Sequence, residues 1–248
     1  VGINVRCGSF SYAEIPKRYA SILGVTGTLE TLCDAEKDLL ESAYGIKCQT
    51  MMPSAYPTKQ RVEFTDDKGD VQICTKSNHL DTIAMEVELR FQQGDCAVLV
   101  FFETYKELQA FYNMPRMSHH KKTMRIMCEA TSADDKASIV QTAPTAGKIT
   151  LLTREFGRGT DFKCYDTTVK KNGGVHVIQT FVSDSISEQT QIMGRTARQG
   201  DPGSFSFVVP DTYLERYGFK PGEIAPHTPN VYALIDKKRR TYYEREFP

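Results

Sequence analysis

Short apolar runs recur along this chain, and most are separated by stretches whose apolar positions fall three and four residues apart. The first pattern is that of buried strands and the second that of amphipathic helices. Their alternation predicts a parallel α/β sheet. Strands are expected at 22–25, 97–102, 125–128, 149–152, 176–180 and 204–209, and helices at 29–43, 79–92, 104–112, 133–142 and 187–199. Ser132 is the expected N-cap of the helix at 133–142, which turns Ala137, Ile139 and Val140 toward the sheet. The longest apolar run, Cys96 to Phe102, suits a buried strand and is too short to cross a bilayer. Two joints break the rhythm. The stretch 52–59 carries Pro53 and Pro57 and reads as an extended connector, and beyond Arg216 the prolines at 221, 226 and 229 interrupt the alternation. The division that follows is an N-terminal piece (1–59), a core lobe (60–215) and a C-terminal extension (216–248).

Composition changes this picture little. At 248 residues the chain can bury a large core, and its apolar and charged fractions are ordinary for a globular protein. Lysine plus arginine balance aspartate plus glutamate at 31 each, so no overall field attracts a polyanion, which speaks against nucleic acid as a partner. The seven cysteines stand far apart with no C-x-x-C pair, which fits reduced thiols in a cytosol-like compartment. The N-terminus shows no signal pattern, and its abrupt start reads as that of an excised piece.

Three strings carry chemistry. In 191–200, QIMGRTARQG, a continuous helix would put Arg195 and Arg198 on one face with Gln191, while Gly194 removes a side chain beside them. Paired guanidiniums of this kind suit a phosphate in transfer. In 151–162, LLTREFGRGTDF, Gly157 and Gly159 allow close backbone approach, and Arg158 and Asp161 are expected at the carboxyl end of a strand. Alone, the string could also be a mere loop with an internal pair of Arg158 with Asp161. The third string, Thr26, Gly27 and Thr28 after an apolar run, suits a ligand-facing strand end or a simple helix cap by Thr28. By contrast TAPTAGKI, 142–149, lacks the first glycine and the final hydroxyl of a phosphate-cradling loop and precedes its strand, so it is set aside. His119 and His120 read as a solvated loop because no third ligand is nearby in sequence. The basic run 237–240 reads as a solvated helix face.

Taken together, these strings resemble the second motor lobe of SecA, the ATPase that drives proteins through the bacterial Sec channel. GRGTDF resembles that family's G-R-G-T-D-I loop, GGVHVIQT at 173–180 its G-G-L-x-V-I-G-T strand, and QIMGRTARQGDPGSFSF its Q-L-R-G-R-x-G-R-Q-G-D-x-G-x-S-x-F segment. Residues 19–28 resemble the end of the family's first lobe, and 53–61 its proline-rich connector. The resemblance covers about 15–210 and implies a RecA-like, three-layer parallel sheet with helices on both faces. It also implies that Arg195 and Arg198 are arginine fingers, and that Gly157, Arg158, Gly159, Asp161, Gln191 and Gly194 border the nucleotide. Thr26, Gly27 and Thr28 would couple the lobes. ATP with Mg2+ would be the cofactor, with the Mg2+ ligands on the preceding first lobe and no metal ligand assigned here. The implied partners are that first lobe, a polypeptide substrate and a membrane channel, and the implied location is cytoplasmic or peripheral to a membrane. The lobe alone is expected to be inactive. FVSDSISE at 181–188 departs from the family's charged E-R-H-E-S-R-R-I, and Met193 and Ala197 replace its usual arginine and glycine. Two other readings stay open: a superfamily 2 nucleic-acid helicase lobe, and a non-catalytic interaction module of the same fold.

Overall fold

A computed structural model describes residues 8–29, 32–52, 61–64, 70–92, 96–220, 223–224 and 230–246. The chain divides into two compact units, one of residues up to Pro53 and the other Ser54–Glu246.

The first unit holds two short 3-10 turns, Tyr12–Glu14 and Pro16–Arg18, and helix α1, Asp34–Tyr44. Helix α1 starts later than the pattern suggested because Glu36 reaches back to the Cys33 N–H at 2.9 Å and caps it there. Gly45, at φ 67°, ends it in the left-handed conformation that favours glycine. The strand expected at 22–25 does not form, and Leu23 and Val25 are fully exposed. A strand needs a ladder partner to satisfy its backbone, and the described residues of this unit supply none.

The second unit is built on seven strands: β1 (Arg61–Glu63), β2 (Val71–Cys74), β3 (Ala97–Phe102), β4 (Met124–Met127), β5 (Lys148–Thr153), β6 (Val175–Gln179) and β7 (Pro202–Pro210). Every pairing is parallel, in the order β1-β7-β6-β3-β5-β4, with β2 pairing further along β7 beyond β1. The five strands expected in this unit all form, within two residues at each end. β1 and β2 were missed because runs this short, half exposed at a sheet edge, carry little pattern.

Central β3, AVLVFF, is buried at every position and feeds both sides of the sheet. Ala97, Leu99 and Phe101 point to one side, where α4 (Ala133–Thr142), α5 (Thr167–Lys171), α6 (Ile186–Met193), α7 (Asp211–Glu215) and α8 (Val231–Glu246) contribute Ile139, Val169, Ile192, Leu214 and Ile235. Val98, Val100 and Phe102 point to the other, against Ile83, Ala84 and Val87 of α2 (His79–Gln92) and Leu108 and Phe111 of α3 (Tyr105–Tyr112). The outcome is the expected three layers, helix on sheet on helix.

Ser132 caps α4 as expected, its Oγ accepting the Asp135 N–H at 3.2 Å. Ile139 and Val140 reach the core, but Ala137, two positions back and so about 200° around the helix, stays exposed. In α8 the basic run keeps Lys237 exposed as expected, but one of its residues turns inward. Arg239 is 2 % exposed. Its guanidinium donates to Ser183 O at 3.0 Å, Gln189 Oε1 at 2.6 Å and Asp236 Oδ1 at 2.7 Å. It falls inward because Val231, Ile235 and Arg239 repeat every four residues on the face that packs on the core.

Inside the α2 side lies a buried polar group. Glu86 of α2 accepts Ser206 Oγ at 2.7 Å, Arg90 Nε at 2.9 Å and Gln72 Nε2 at 2.9 Å, and His176 Nε2 approaches to 3.3 Å. Burial opposes the charged form of Glu86, but the side chains of His176, Ser206 and Arg90 outweigh it and hold the carboxyl at about 2, down from an ordinary 4.5. A depressed carboxyl stabilises the fold above its unfolded value and loses that contribution as pH falls toward the folded one. The unfolding free energy from urea titrations should therefore fall between pH 5 and 2 by on the order of 2–3 kcal/mol more in the parent than in Glu86→Gln.

Candidate functional site

Strand β5 ends at Thr153 and passes through a 3-10 turn, Arg154–Gly157, into the loop that carries Arg158 to Asp161. Gly157 lies against α6 so closely that a Cβ there would stand 2.6 Å from Ile192 Cγ1, and Gly159 takes φ 69°. Both features let the loop run alongside α6. What fastens it is Arg195. Its Nε and Nη2 donate to Gly157 O at 2.9 and 2.7 Å, and its Nη1 donates to Thr160 O. Arg198 then pairs with Asp161 and donates through Nε to Gly194 O at 3.0 Å. Asp161 also meets Lys163 at 3.5 Å, and Arg158 Nη2 reaches Ser185 Oγ at 3.4 Å.

The two arginines do not share a helix face. Helix α6 ends at Met193 with Gly194 as its C-cap, and Ala197 sits in the left-handed region at φ 51°. Tertiary hydrogen bonds stop the helix: Arg195 is drawn to the loop carbonyls, and Thr196 Oγ1 donates to Val175 O at 2.5 Å at the start of β6. Asp161 also departs from expectation. Arg158 stays near the carboxyl side, beside Ser185 just past β6, but Asp161 is carried along to Arg198, which precedes the amino end of β7. The internal pair of Arg158 with Asp161 is not formed, since Asp161 is held by Arg198 and Lys163.

Charge is distributed unevenly over this face. Arg154 meets three carboxylates, Glu103 at 3.8 Å, Glu188 at 2.6 Å and Asp184. Burial lowers the Arg154 guanidinium, but its hydrogen bonds to Glu188 and Asp184 outweigh that and raise it. Arg195 is the opposite case. It is 6 % exposed, its partners are neutral carbonyls, and burial pushes it below its ordinary value. A guanidinium stays protonated regardless, so Arg195 is a buried positive charge with no carboxylate against it among the described residues. Of the three guanidiniums on this loop and helix end, Arg198 alone is paired with a carboxylate, Asp161, while Arg158 reaches Ser185 and Arg195 the Gly157 and Thr160 carbonyls.

The remaining expected residues divide. Gln191 lies on α6 and donates to Ser187 Oγ at 3.4 Å, while Gly194 caps that helix at φ −71°, a conformation open to any residue. Thr26, Gly27 and Thr28 belong to the first unit, where Thr26 Oγ1 accepts the Thr28 N–H at 3.2 Å in a local turn. The rejected phosphate-loop string has its amides committed: Ala146 N–H donates to Asp166 Oδ2 at 2.9 Å and Gly147 N–H to Cys96 O at 3.0 Å. Thr160, Ser185 and Thr196 were missed, because a carbonyl acceptor and two small hydroxyls leave no sequence signal. His119 and His120 do have a third neighbour, Glu88, which the intervening sequence concealed.

No protein-family model matches the chain. Curated relatives do. Protein translocase subunit SecA of Halothermothrix orenii is 29 % identical over 212 residues, 85 % of this chain and 23 % of that protein. The same subunit of Thermosipho africanus is 28 % identical over 213 residues, and that of Lawsonia intracellularis 27 % identical over 208. The chain is similar in sequence to SecA. It spans about a quarter of the length of these SecA proteins. Solved structures with partial likeness include domain 2 of the DEAD-box helicase Mss116p bound to an RNA duplex, 14 % identical with a TM-score of 0.46 over 71 % of this chain and 77 % of that one. The C-terminal domain of the DEAD-box protein Dbp5 is 14 % identical with a TM-score of 0.44 over 58 % of this chain and 77 % of that one. Among the described residues of the SecA-like chain, no helix is long and apolar enough to cross a membrane.

The clamp can be tested directly. Arg195→Lys keeps the charge but loses the fork that holds two carbonyls, and should cost about 1–3 kcal/mol of stability. Hydrogen exchange should report the loss as faster exchange confined to 157–162 and 194–200.

Proposed function

We propose that this chain is the second nucleotide-facing lobe of a SecA-like ATPase, completed by a first lobe that brings the phosphate-binding loop and the Mg2+ ligands. The observation that carries this reading is the positive charge of Arg195, buried against carbonyls with no carboxylate to neutralise it. An arrangement of that kind favours an anion nearby, and a nucleotide phosphate has the matching charge. The sequence similarity to SecA across the same segments supports the choice of ATPase class.

The two arginines take different parts. Arg195 holds the 157–161 loop and contributes its field. Arg198, a third exposed and held by the single carboxylate of Asp161, exchanges that partner for phosphate oxygen when the lobes close. Arg158 reads the same closure from the other end of the loop, with Gly157 and Gly159 allowing its approach and Gln191 and Gly194 flanking it. Bound ATP would supply the phosphoryl group, and the guanidiniums would stabilise the charge that develops on it. The Thr26–Gly27–Thr28 turn relays closure between lobes. Movement of a polypeptide, at a membrane channel from the cytoplasmic side, is the work such a cycle would drive.

The 248 residues contain no G-x-x-x-x-G-K-[ST] string, so the chain alone should show negligible ATP turnover. In the parent protein with its first lobe, Arg198→Ala should lower kcat by roughly a hundredfold or more. Arg195→Ala should do the same while also loosening the loop. Full turnover in the Arg195→Ala, Arg198→Ala double variant would refute the assignment. Tight binding to single-stranded RNA that weakens steeply with salt would favour the helicase reading in its place.

A further inference from the structure

The histidines His119 and His120 end a 3-10 helix, Pro115–His120, between α3 and β4. Successive side chains on such a helix stand about a third of a turn apart, so neighbours ordinarily diverge. Here the two rings come to 4.0 Å between centroids. Glu88, three turns along α2, completes the group. One ligand-capable atom from each of Glu88, His119 and His120 lies within 4.8 Å of the other two, and no other such group of His, Cys, Asp or Glu occurs among the described residues.

The frame that holds the three is fixed. Met117 of the 3-10 helix is fully buried in the same cluster as Ile83, Ala84 and Val87 of α2, so both supporting elements are anchored in one core. The His120 ring packs edge-on to Phe91 at 5.0 Å, one turn from Glu88. Thr123 Oγ1 donates to His120 O at 2.8 Å and closes the backbone behind it.

We propose that Glu88, His119 and His120 bind a divalent transition cation of borderline softness, with Zn2+ the best match. Two imidazoles and one carboxylate form a donor set that zinc accepts, with water filling the rest of the coordination sphere. On a tetrahedral ion with bonds of about 2.1 Å the donors stand about 3.4 Å apart. From the 4.8 Å limit the group must contract by at most about 1.4 Å, which side-chain rotation at a partly exposed site supplies.

Arg116 sets the strength of the site. Its Nε lies 3.1 Å from both Glu88 oxygens and its Nη2 2.5 Å from Oε2. A carboxylate has about four lone-pair positions, so this fork leaves room for an ion. The guanidinium charge nonetheless opposes a second cation a few ångströms away. The site is therefore a weak one whose affinity rises when Arg116 is neutralised.

Calorimetric titration of the purified, reduced chain with ZnCl2 tests this. One ion should bind per chain with a Kd in the micromolar range, and His119→Ala or His120→Ala should weaken it about tenfold or more. Arg116→Gln should tighten it severalfold, a gain that no folding defect can imitate. The assignment is overturned if nothing saturates below about a millimolar. It is equally overturned if binding survives both histidine substitutions unchanged, since thiols would then be the ligands, or if Arg116→Gln fails to tighten it.

Discussion

One guanidinium, that of Arg195, decides the shape of the face on which the chemistry is placed. It joins two stretches 38 residues apart in sequence by donating to Gly157 and Thr160 carbonyls. For that reach the chain must leave the helix after Met193 and turn through left-handed Ala197 before it enters β7. The loop in turn must carry glycine where it touches Ile192. Breaking a buried charged fork would leave both its carbonyls and its cation unsatisfied, so loop, helix end and strand entry are coupled rather than independent features.

A balanced total charge conceals how sharply this face is partitioned. Arg154 is fully neutralised by the acids around it, and its environment raises it, whereas burial alone acts on Arg195. FVSDSISE supplies two of those acids, Asp184 and Glu188, within the segment that departs from the SecA pattern. One arginine beside the site is thus neutralised by carboxylates while its neighbour Arg195 is held by carbonyls alone.

The central strands were legible because burial on both faces forces an unbroken apolar run, and β3 is the extreme case. Helices α2 and α4 were legible to the residue from their periodicity and, for α4, the Ser132 cap. Helix α6 was overrun because nothing in its local sequence forbids continuation to Gln199: a lone glycine is tolerated, and the forces that end the helix come from Gly157, Thr160 and Val175 elsewhere in the chain. The same holds for the candidate site, where the right strings were visible but their pairing was not. Asp161 was weighed against Arg158 next to it, and the fold gave it to Arg198. Arg239 shows a different failure, since its charge type was weighed above its four-residue spacing from Val231 and Ile235.

Strands β1 and β2 both lie along β7, with Arg61 opposite Pro202 and Val71 opposite Phe207. Central β3 likewise takes its neighbours from β5 and β6, which come well after it in sequence. A chain emerging from the ribosome N-terminus first would hold the earliest strands of this sheet without partners until nearly the whole unit had been made. Closing loops of that length is slow, and unpaired apolar edges are prone to aggregate while they wait. The topology thus makes this unit dependent on its last strand for completing its first, and its period of greatest exposure falls during synthesis.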